Sequence, residues 1–513
     1  MIGAEKVVHN MTSSASADPR PRVTTGIAGF DNILDGGLTP RRLYLVEGNP
    51  GSGKTTLAIQ FLLDGVHQGE RCLYVTLSET AEELRAAAAS HGWSLDGIDL
   101  FELVPSEDNL LVDAHSTMFH PSEVELNETT KLILAEVKRI APTRVVFDSL
   151  SEMRLLAQDP LRYRRQILAL KQFFVGRNAT VLLLDDRTSN VNDLQLHSLA
   201  DGVVSLEQIA PDYGAERRRL IVTKLRGRSY RGGYHDFRIT RGGLDVYPRL
   251  IASEHHQPFV AERLLSGVAD LDTLLGGGLD RGTSTILIGP AGVGKSSLAA
   301  LYATTAMRRG ERVAYFVFDE SIRTLVTRSA KLGFDFRPHI DAGQLQLQQM
   351  DSAVLSPGEF IHIVRQTVER DDRSVIIIDS LNGYLNAMPE ERFLLIHLHE
   401  LFRYLGQQGI TTLMVVSQYG MVGSDIQAPV DVSYLADTVI LLRYFEADGE
   451  VRQAISVVKH RTSQHERTIR QFKMSEQGIA VGPSLREFHG ILTGTPTQRP
   501  AAPMRMDAPD ETA

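Results

Sequence analysis

Short apolar runs alternate with segments in which apolar residues recur at helical spacing, and the whole alternation occurs twice along the chain. Near-continuous apolar strands between helices are typical of a largely parallel sheet covered on both faces. The predicted strands of the first half are 43–46, 72–77, 144–147, 181–184, 203–206 and 220–223, and those of the second half are 285–288, 313–318, 375–378, 413–416, 439–442 and 455–458. The sequence therefore predicts an α/β fold with two tandem domains, each a mostly parallel sheet flanked by helices.

The second half of the chain is a copy of the first. Residues 25–38 and 266–279 share the pattern Thr/Ser-Gly, then Asp, then Gly-Gly-Leu, and the differences 267 − 26, 272 − 31, 295 − 54 and 320 − 79 all equal 241. Further along, the offset becomes 379 − 148 = 231 and then 459 − 224 = 235. A spacing held over so many positions indicates duplication, with insertions and deletions confined to loops.

Length and composition set the domain organisation and exclude some classes of partner. The chain has 513 residues, which suits two domains of about 200–250 residues each. The predicted segments are a flexible arm at 1–22, a first domain at 23–250, a linker at 251–262, a second domain at 263–490 and a tail at 491–513. The net charge of −9 without a long basic block argues against a nucleic-acid partner. Cys72 is the one cysteine, and no apolar run approaches membrane-spanning length, so we expect a cytoplasmic protein.

Each half contains one phosphate-binding loop of the form G-x-x-x-x-G-K-[ST], placed between a predicted strand and a predicted helix. In such loops the backbone N–H groups surround phosphates, the lysine reaches the outer phosphates, and the hydroxyl holds Mg²⁺. The predicted nucleotide-contacting residues are Gly48, Asn49, Pro50, Gly51, Ser52, Gly53, Lys54, Thr55 and Thr56 in the first copy, and Gly289, Pro290, Ala291, Gly292, Val293, Gly294, Lys295, Ser296 and Ser297 in the second. The chain is therefore predicted to bind nucleoside triphosphate at two places.

One aspartate in each half follows an apolar strand and is a candidate for the metal site. Asp148 ends the run 145–147, and Asp379 ends the run 375–378. Together with the hydroxyls of Thr55 and Ser296, these carboxylates are expected to hold Mg²⁺. An acid after a strand can also be a helix N-cap, which is the alternative reading for each residue alone.

A second acidic position follows the next strand in each copy, as Glu79 in the first and as Asp319 and Glu320 in the second. A carboxylate beside the phosphates can align a water or take a proton from a hydroxyl. Ser78 stands where the second copy has Asp319, so the two sites are not expected to have equal chemistry. The alternative role for either glutamate is helix capping.

Each domain also ends a strand in a basic pair, Lys224 with Arg226 and Lys459 with Arg461. Spacing i, i+2 on a strand places both cations on one face. They could form a solvated edge, but their recurrence suggests cations that act on the phosphate of a neighbouring subunit.

These features together resemble the KaiC family over roughly residues 23 to 496. The duplicated lead-in, both phosphate loops, Asp148-Ser149, Asp379-Ser380 and the two Lys-x-Arg endings carry the resemblance. KaiC proteins are RecA-superfamily ATPases and autokinases of the circadian clock. The resemblance implies two RecA-like P-loop domains, ATP and Mg²⁺ as ligands, and a homohexamer of two stacked rings with nucleotide between subunits. It also implies KaiB-like or signalling-protein partners, and action of the four basic residues in trans.

The resemblance also implies a phosphorylation site in the second domain. Ser433 matches the phosphorylated serine of the family, whereas Tyr434 stands where a phosphorylated threonine is expected. We therefore expect ATP hydrolysis at both sites and serine autophosphorylation only at the second. The remaining alternatives are a RecA/RadA- or DnaB-type ATPase on DNA, which predicts stimulation by DNA, and a non-catalytic scaffold in which ATP joins subunits.

Overall fold

The computed structural model describes residues 21–103, 121–157, 159–186, 194–210, 214–351, 353–386, 391–418, 434–492 and 497–498. These residues form two compact units. The first comprises the described residues up to Gln208 together with Arg218–Pro248, and the second comprises Ile209–Arg217 and the described residues from Arg249 onward. The domain ends proposed from the sequence stay predictions.

The first unit is built around a nine-stranded sheet in the order β3-β2-β4-β5-β1-β6-β7-β8-β9. Its strands are β1 Leu43–Gly48, β2 Cys72–Thr76, β3 Ile98–Glu102, β4 Arg144–Asp148, β5 Thr180–Asp186, β6 Gly202–Ile209, β7 Arg217–Leu225, β8 Tyr234–Thr240 and β9 Gly243–Tyr247. Its helices are α1 Ala28–Ile33, α2 Lys54–His67, α3 Ala81–Ser90, α4 Pro121–Ile140, α5 Leu150–Ala157, α6 Pro160–Val175 and α7 Leu194–Leu199.

The second unit repeats this design, with the sheet order β14-β13-β15-β16-β12-β17-β18-β19-β20. Its strands are β10 Arg263–Leu264, β11 Leu279–Asp280, β12 Ser284–Gly289, β13 Val313–Val317, β14 Leu345–Gln349, β15 Val375–Asp379, β16 Thr411–Ser417, β17 Thr438–Ala447, β18 Glu450–His460, β19 Arg470–Ser475, β20 Gly478–Ser484, β21 Phe488–His489 and β22 Thr497–Gln498. Its helices are α8 Ala269–Leu274, α9 Lys295–Arg308, α10 Ile322–Lys331, α11 Arg337–Asp341, α12 Pro357–Asp371, α13 Leu381–Asn386 and α14 Glu391–Gln407, with a 3₁₀ turn at Ala252–Glu254. None of the described helices combines the length and the apolar character needed to cross a membrane.

The strand that leads into each phosphate loop lies inside its sheet. β1 pairs in parallel with β5 and with β6, and β12 pairs in parallel with β16 and with β17. The remaining strands on that side are antiparallel. In the first sheet β7 pairs with β8 and β8 with β9, and in the second β17 pairs with β18, β18 with β19 and β19 with β20. The prediction of mostly parallel sheets flanked by helices is confirmed.

Both faces of each sheet are covered, which explains the continuous apolar runs. Along β1, Tyr44 and Val46 belong to one buried cluster, while Leu43 and Leu45 belong to another on the opposite face. Successive side chains of a strand point to opposite faces, so a strand with helices on both sides must be apolar at every position. The second sheet is buried in the same way.

One ion cluster is an exception in the apolar core of the first unit. Arg144, the first residue of β4, is fully buried and pairs with Asp64 at 3.0 Å and Glu70 at 2.8 Å. Its Nη1 also donates to the carbonyl oxygens of Thr24 and Phe61. A buried guanidinium is tolerated only when its charge and donors are matched in this way.

Replacing Arg144 by Met is expected to lower the free energy of unfolding of the first domain by about 3 kcal/mol, because Asp64 and Glu70 lose their cation. The measurement is urea unfolding followed by the fluorescence of Trp93, the single tryptophan of the chain. The matched control is Arg139→Met, which removes an exposed pair with Glu136 and should cost less than about 1 kcal/mol. Equal effects of the two changes would contradict a stabilising role for the buried cluster.

Candidate active site

The first phosphate loop connects the end of β1 to the start of α2. Gly51 and Gly53 have φ values of +79° and +100°, a conformation that glycine adopts readily. A Cβ atom at Gly53 would lie 2.8 Å from Cδ1 of Ile239, and one at Gly48 would lie 2.5 Å from Oγ of Ser52. The loop therefore needs glycine both for its backbone conformation and for its tight packing.

Lys54 is the first residue of α2, and its ammonium is buried in the loop. Its Nζ donates to the carbonyl oxygens of Gly48 at 2.9 Å and Asn49 at 3.1 Å. It also forms an ion pair with Asp186 at 2.7 Å. Asp186 ends β5, opposite Gly48 in the parallel register. The loop lysine of the first site is thus held by an acid.

The second loop has the same backbone, and its lysine has the same two carbonyl acceptors. Gly292 and Gly294 have φ values of +77° and +105°. Nζ of Lys295 donates to the carbonyl oxygens of Gly289 at 2.9 Å and Pro290 at 2.7 Å. Burial lowers the pKa of Lys295 to about 8. An anionic phosphate at this loop would favour the charged lysine.

The predicted metal-site carboxylates lie next to the loop hydroxyls. Oγ1 of Thr55 donates to Asp148 at 3.1 Å, and the hydroxyl of Tyr74 donates to the same carboxylate oxygen at 2.5 Å. Burial raises the pKa of Asp148, while the hydrogen bonds from Tyr74 and Thr55 and the charge of Lys54 act in the opposite direction. The carboxylate is thus buried but well supplied with donors.

The second site repeats this arrangement. The hydroxyl of Tyr315 donates to Asp379 at 2.7 Å. Burial raises the pKa of Asp379, and hydrogen bonds from Tyr315 and Ser296 lower it. In both sites a hydroxyl of the loop therefore meets the aspartate at the end of a neighbouring strand.

The residues of both loops fit a nucleoside triphosphate with Mg²⁺. Hydroxyl and carboxylate oxygens are the ligands that Mg²⁺ prefers. The ammonium and the helix N-terminus supply positive charge for phosphates. Lys54, Thr55 and Asp148 combine these groups in the first site, and Lys295, Ser296 and Asp379 combine them in the second.

Glu79 follows β2 and is half-buried. Its backbone N–H donates to Oγ1 of Thr76 at 3.0 Å. Burial raises the pKa of Glu79, and the carboxylates of Asp148, Glu83 and Asp186 raise it further. The N-cap of α3 is Thr80, so Glu79 does not cap this helix. A carboxyl with a raised pKa beside a phosphate site has the properties of a proton acceptor.

The acids of the second site have partners that the first site lacks. Oγ of Ser380 donates to Asp319, and Nη2 of Arg328 donates to Glu320 at 2.5 Å. Burial raises the pKa of Glu320, although Arg328 acts to lower it. The cap of α10 is Ser321, so Glu320 does not cap this helix.

The arginines of the two basic pairs contact equivalent positions in the two domains, whereas the lysines contact different ones. Lys224 donates to the carbonyl oxygen of His197, and Arg226 donates to that of Ser198 at 2.9 Å. The carboxylate of Asp201 lies 3.7 Å from Arg226. Both cations are thus fixed on the C-terminal end of α7.

In the second domain, Lys459 donates to the carbonyl oxygen of Ala436 at 2.8 Å, and Arg461 donates to that of Tyr434 at 3.2 Å. Asp437 lies 3.6 Å from Arg461. Ser433, the predicted phosphate acceptor, lies outside the described residues, directly before Tyr434.

Comparison with known proteins identifies the family. A family model described as "ATPase: KaiC" matches residues 23–251 and again 264–486. The chain belongs to the KaiC ATPase family. The resemblance inferred from the sequence is thereby confirmed, and the KaiC family supports ATP binding and ATPase activity.

The chain is similar over nearly its full length to proteins of cyanobacterial clocks. It is 28% identical over 487 residues to circadian clock protein KaiC3 of Synechocystis sp., covering 93% of this chain and 94% of that protein. It is 29% identical over 507 residues to circadian clock oscillator protein KaiC of Synechococcus elongatus, covering 97% and 96%. It is also 29% identical over 499 residues to circadian clock oscillator protein KaiC of Thermosynechococcus vestitus, covering 95% of this chain and 94% of that protein.

Four side chains at the KaiC-type sites were not predicted from the sequence. Tyr74 and Tyr315 hold the metal-site aspartates, and their offset of 315 − 74 = 241 could have revealed them. Asp186 and Arg328 occur in one domain each, as partners of Lys54 and Glu320. A feature present in one copy only gives no signal in a repeat comparison.

Replacing Asp186 by Ser, which is the residue at the matching position Ser417 of the second sheet, is expected to tighten nucleotide binding at the first site. The carboxylate competes with phosphate for Lys54, and a hydrogen bond between charged groups contributes about 1.5–3 kcal/mol. We expect the affinity to rise about tenfold. The measurement is titration with a non-hydrolysable ATP analogue in a Lys295→Ala background, which silences the second site.

The control for this prediction is Asp99→Ser, which removes an exposed acid of β3. It should leave the affinity unchanged. Weaker binding in the Asp186 variant would mean that this carboxylate assists the nucleotide instead of competing with it.

Proposed function

We propose that this chain hydrolyses ATP at two sites per subunit of a double-ring homohexamer, with each site completed by the neighbouring subunit. The observation that carries the proposal is that a lysine, a hydroxyl and an aspartate lie together at each phosphate loop. These residues are Lys54, Thr55 and Asp148 in the first site and Lys295, Ser296 and Asp379 in the second. Mg²⁺ bound at each site would neutralise charge on the outer phosphates. The KaiC relatives support the assembly and KaiB-like or signalling partners.

The carboxylates Glu79 and Glu320 act as proton acceptors in this proposal. A water oxygen bonds to the γ-phosphorus while the bond between that phosphorus and the bridging oxygen of ADP breaks. The water proton passes to the carboxylate, and ADP and inorganic phosphate are released. A positioned base contributes about 10²–10⁴-fold to such a step. Raised pKa values at both glutamates support this role.

Serine autophosphorylation is proposed for the second site only. Oγ of Ser433 takes the place of water, its proton passes to Glu320 or Asp319, and the products are phosphoserine and ADP. The support is a hydrogen bond from Arg461 to the carbonyl oxygen of Tyr434. Tyr434 directly follows Ser433, and Arg461 is one of the cations proposed to act on phosphate. Ser78 offers no second carboxylate at the first site.

Action of Arg226 in trans is tested with mixed rings in a Lys295→Ala background. One chain carries Lys54→Ala and keeps Arg226, and the other carries Arg226→Ala and keeps Lys54. Each alone should lose about 10³-fold or more of the first-site rate. Mixing should restore activity, because some interfaces then combine an intact loop with an intact arginine. The readout is ADP release.

The control for the mixed rings is Arg139→Ala, an exposed arginine that pairs with Glu136, which should need no complementation. A mixture no more active than its two components, or a protein that stays monomeric with ATP and Mg²⁺, would contradict the intersubunit mechanism. Intact ATP binding without ADP production by the unmutated chain would favour a scaffold.

Mass spectrometry after incubation with ATP and Mg²⁺ is expected to find phosphate on Ser433. Lys295→Ala should abolish the phosphate, because the second site supplies it, and Lys54→Ala should retain it. Ser433→Ala is the matched control for assignment of the site. Phosphate on Tyr434 instead, or none in a chain that hydrolyses ATP, would sink the kinase part of the proposal.

A further inference from the structure

Arg328 links two parts of the second site. Its Nη2 donates to Oε1 of Glu320 at 2.5 Å, and its Nη1 lies 3.4 Å from Oγ of Ser297. Ser297 follows Ser296 in α9, the helix that begins at Lys295, whereas Arg328 lies in α10. The guanidinium therefore bridges the candidate base and the helix that follows the phosphate loop.

The first site has no counterpart of this bridge. The offset that relates Glu79 to Glu320 places Ala87 at the position of Arg328, since 328 − 241 = 87. The charges that act on Glu79 are all negative, from Asp148, Glu83 and Asp186. The cation beside the base is therefore a property of the second site.

The surroundings of Glu320 explain what a cation does there. Asp319 directly precedes Glu320 in the chain. Asp379 at the end of β15 and Tyr315 on β13 both interact electrostatically with Glu320. The two carboxylates raise the pKa of Glu320, and Arg328 lowers it. Arg328 therefore opposes the effect of these two carboxylates, because like charges favour the protonated acid and an opposite charge favours the ionised one.

The contribution of the Arg328–Glu320 ion pair to folding stability does not explain the position of Arg328. The side chains of Arg328 and Glu320 are 35% and 25% exposed, and ion pairs of such exposure contribute little to stability. The guanidinium of Arg328 is nonetheless held in one direction by its contacts with Glu320 and Ser297.

We propose that Arg328 is a positioning residue of the second site, which keeps the carboxylate of Glu320 ionised and directed at the phosphate-loop helix. A carboxylate accepts a proton only when it is ionised, so Arg328 extends the activity of this site to lower pH. This inference rests on the proposed role of Glu320 as the base and assigns the residue that regulates it.

The test uses the full chain with the first site silenced by Lys54→Ala. Arg328→Met should move the acid limb of the pH profile of ATP hydrolysis upward by about one pH unit, since a neighbouring opposite charge shifts a pKa by about 1–3 units. On that limb the rate should fall about tenfold, and it should recover at alkaline pH. KM for ATP should stay within about twofold. Arg328→Lys, which keeps the charge, should shift the limb less.

The matched control is Arg323→Met, an exposed arginine of the same helix, which should leave the profile unchanged. A loss of rate that is equal at all pH values would show that Arg328 is only structural. An unchanged profile would show that Glu320 does not depend on it.

A second measurement does not depend on turnover. The titration of Glu320 is followed by difference infrared spectroscopy of its carboxyl group, with Glu320→Gln as the subtraction. Arg328→Met should raise the midpoint by about one pH unit; an unmoved midpoint overturns the inference. If the Lys54→Ala chain binds ATP without hydrolysing it, the proposed function fails, while this titration still decides the role of Arg328.

Discussion

A buried ammonium group at the junction of a strand and a helix is the constraint on which each domain depends. Lys54 and Lys295 are only 7% and 5% exposed, and a charge so far from water must be paired or hydrogen-bonded. The loop itself supplies the acceptors, two carbonyl oxygens in each domain. To bring them to Nζ, the chain must turn sharply at glycines with positive φ. The strand before the loop must then lie inside a parallel sheet, where the ends of β4 and β5, or β15 and β16, adjoin the loop.

The two copies share this scaffold, but the charged residues of their sites have different ion-pair partners. In the first domain the loop lysine has an acid, Asp186, while the candidate base Glu79 is surrounded by acids. In the second domain the candidate base Glu320 has a cation, Arg328, and burial lowers the pKa of Lys295 to about 8. The two sites therefore differ in the partners of their charged residues as well as in having Ser78 in one and Asp319 in the other. Among the described residues of the two candidate sites, the first site pairs its loop lysine with an acid, and the second pairs its candidate base with an arginine.

The parts predictable from the sequence were those encoded by neighbouring residues. Apolar runs located the central strands, and the phosphate loops followed from local spacing. β3 and β14 were missed because these edge strands contain polar residues and are only five residues long; Leu345–Gln349, for example, reads Leu-Gln-Leu-Gln-Gln. The contact between Tyr74 and Asp148 was also missed, because it depends on the register of two strands whose paired residues, such as Cys72 and Arg144, lie 144 − 72 = 72 positions apart in the chain. Register is set by tertiary packing, which spacing along one sequence does not reveal.

The segments that hold the basic pairs are anchored differently in the two domains. In α7 of the first domain, Nε2 of His197 lies 2.8 Å from the buried carboxylate of Glu47 on β1, directly before the phosphate loop. The matching position on β12 is Ile288, since 47 + 241 = 288, and an aliphatic side chain accepts no hydrogen bond. The carbonyl groups that hold Lys224 and Arg226 are therefore tied through His197 to the strand of their own phosphate loop. Those that hold Lys459 and Arg461 flank Leu435, whose carbonyl oxygen accepts a hydrogen bond from Oγ of Ser284 at the start of β12, so their segment is tied to the other end of its loop-bearing strand.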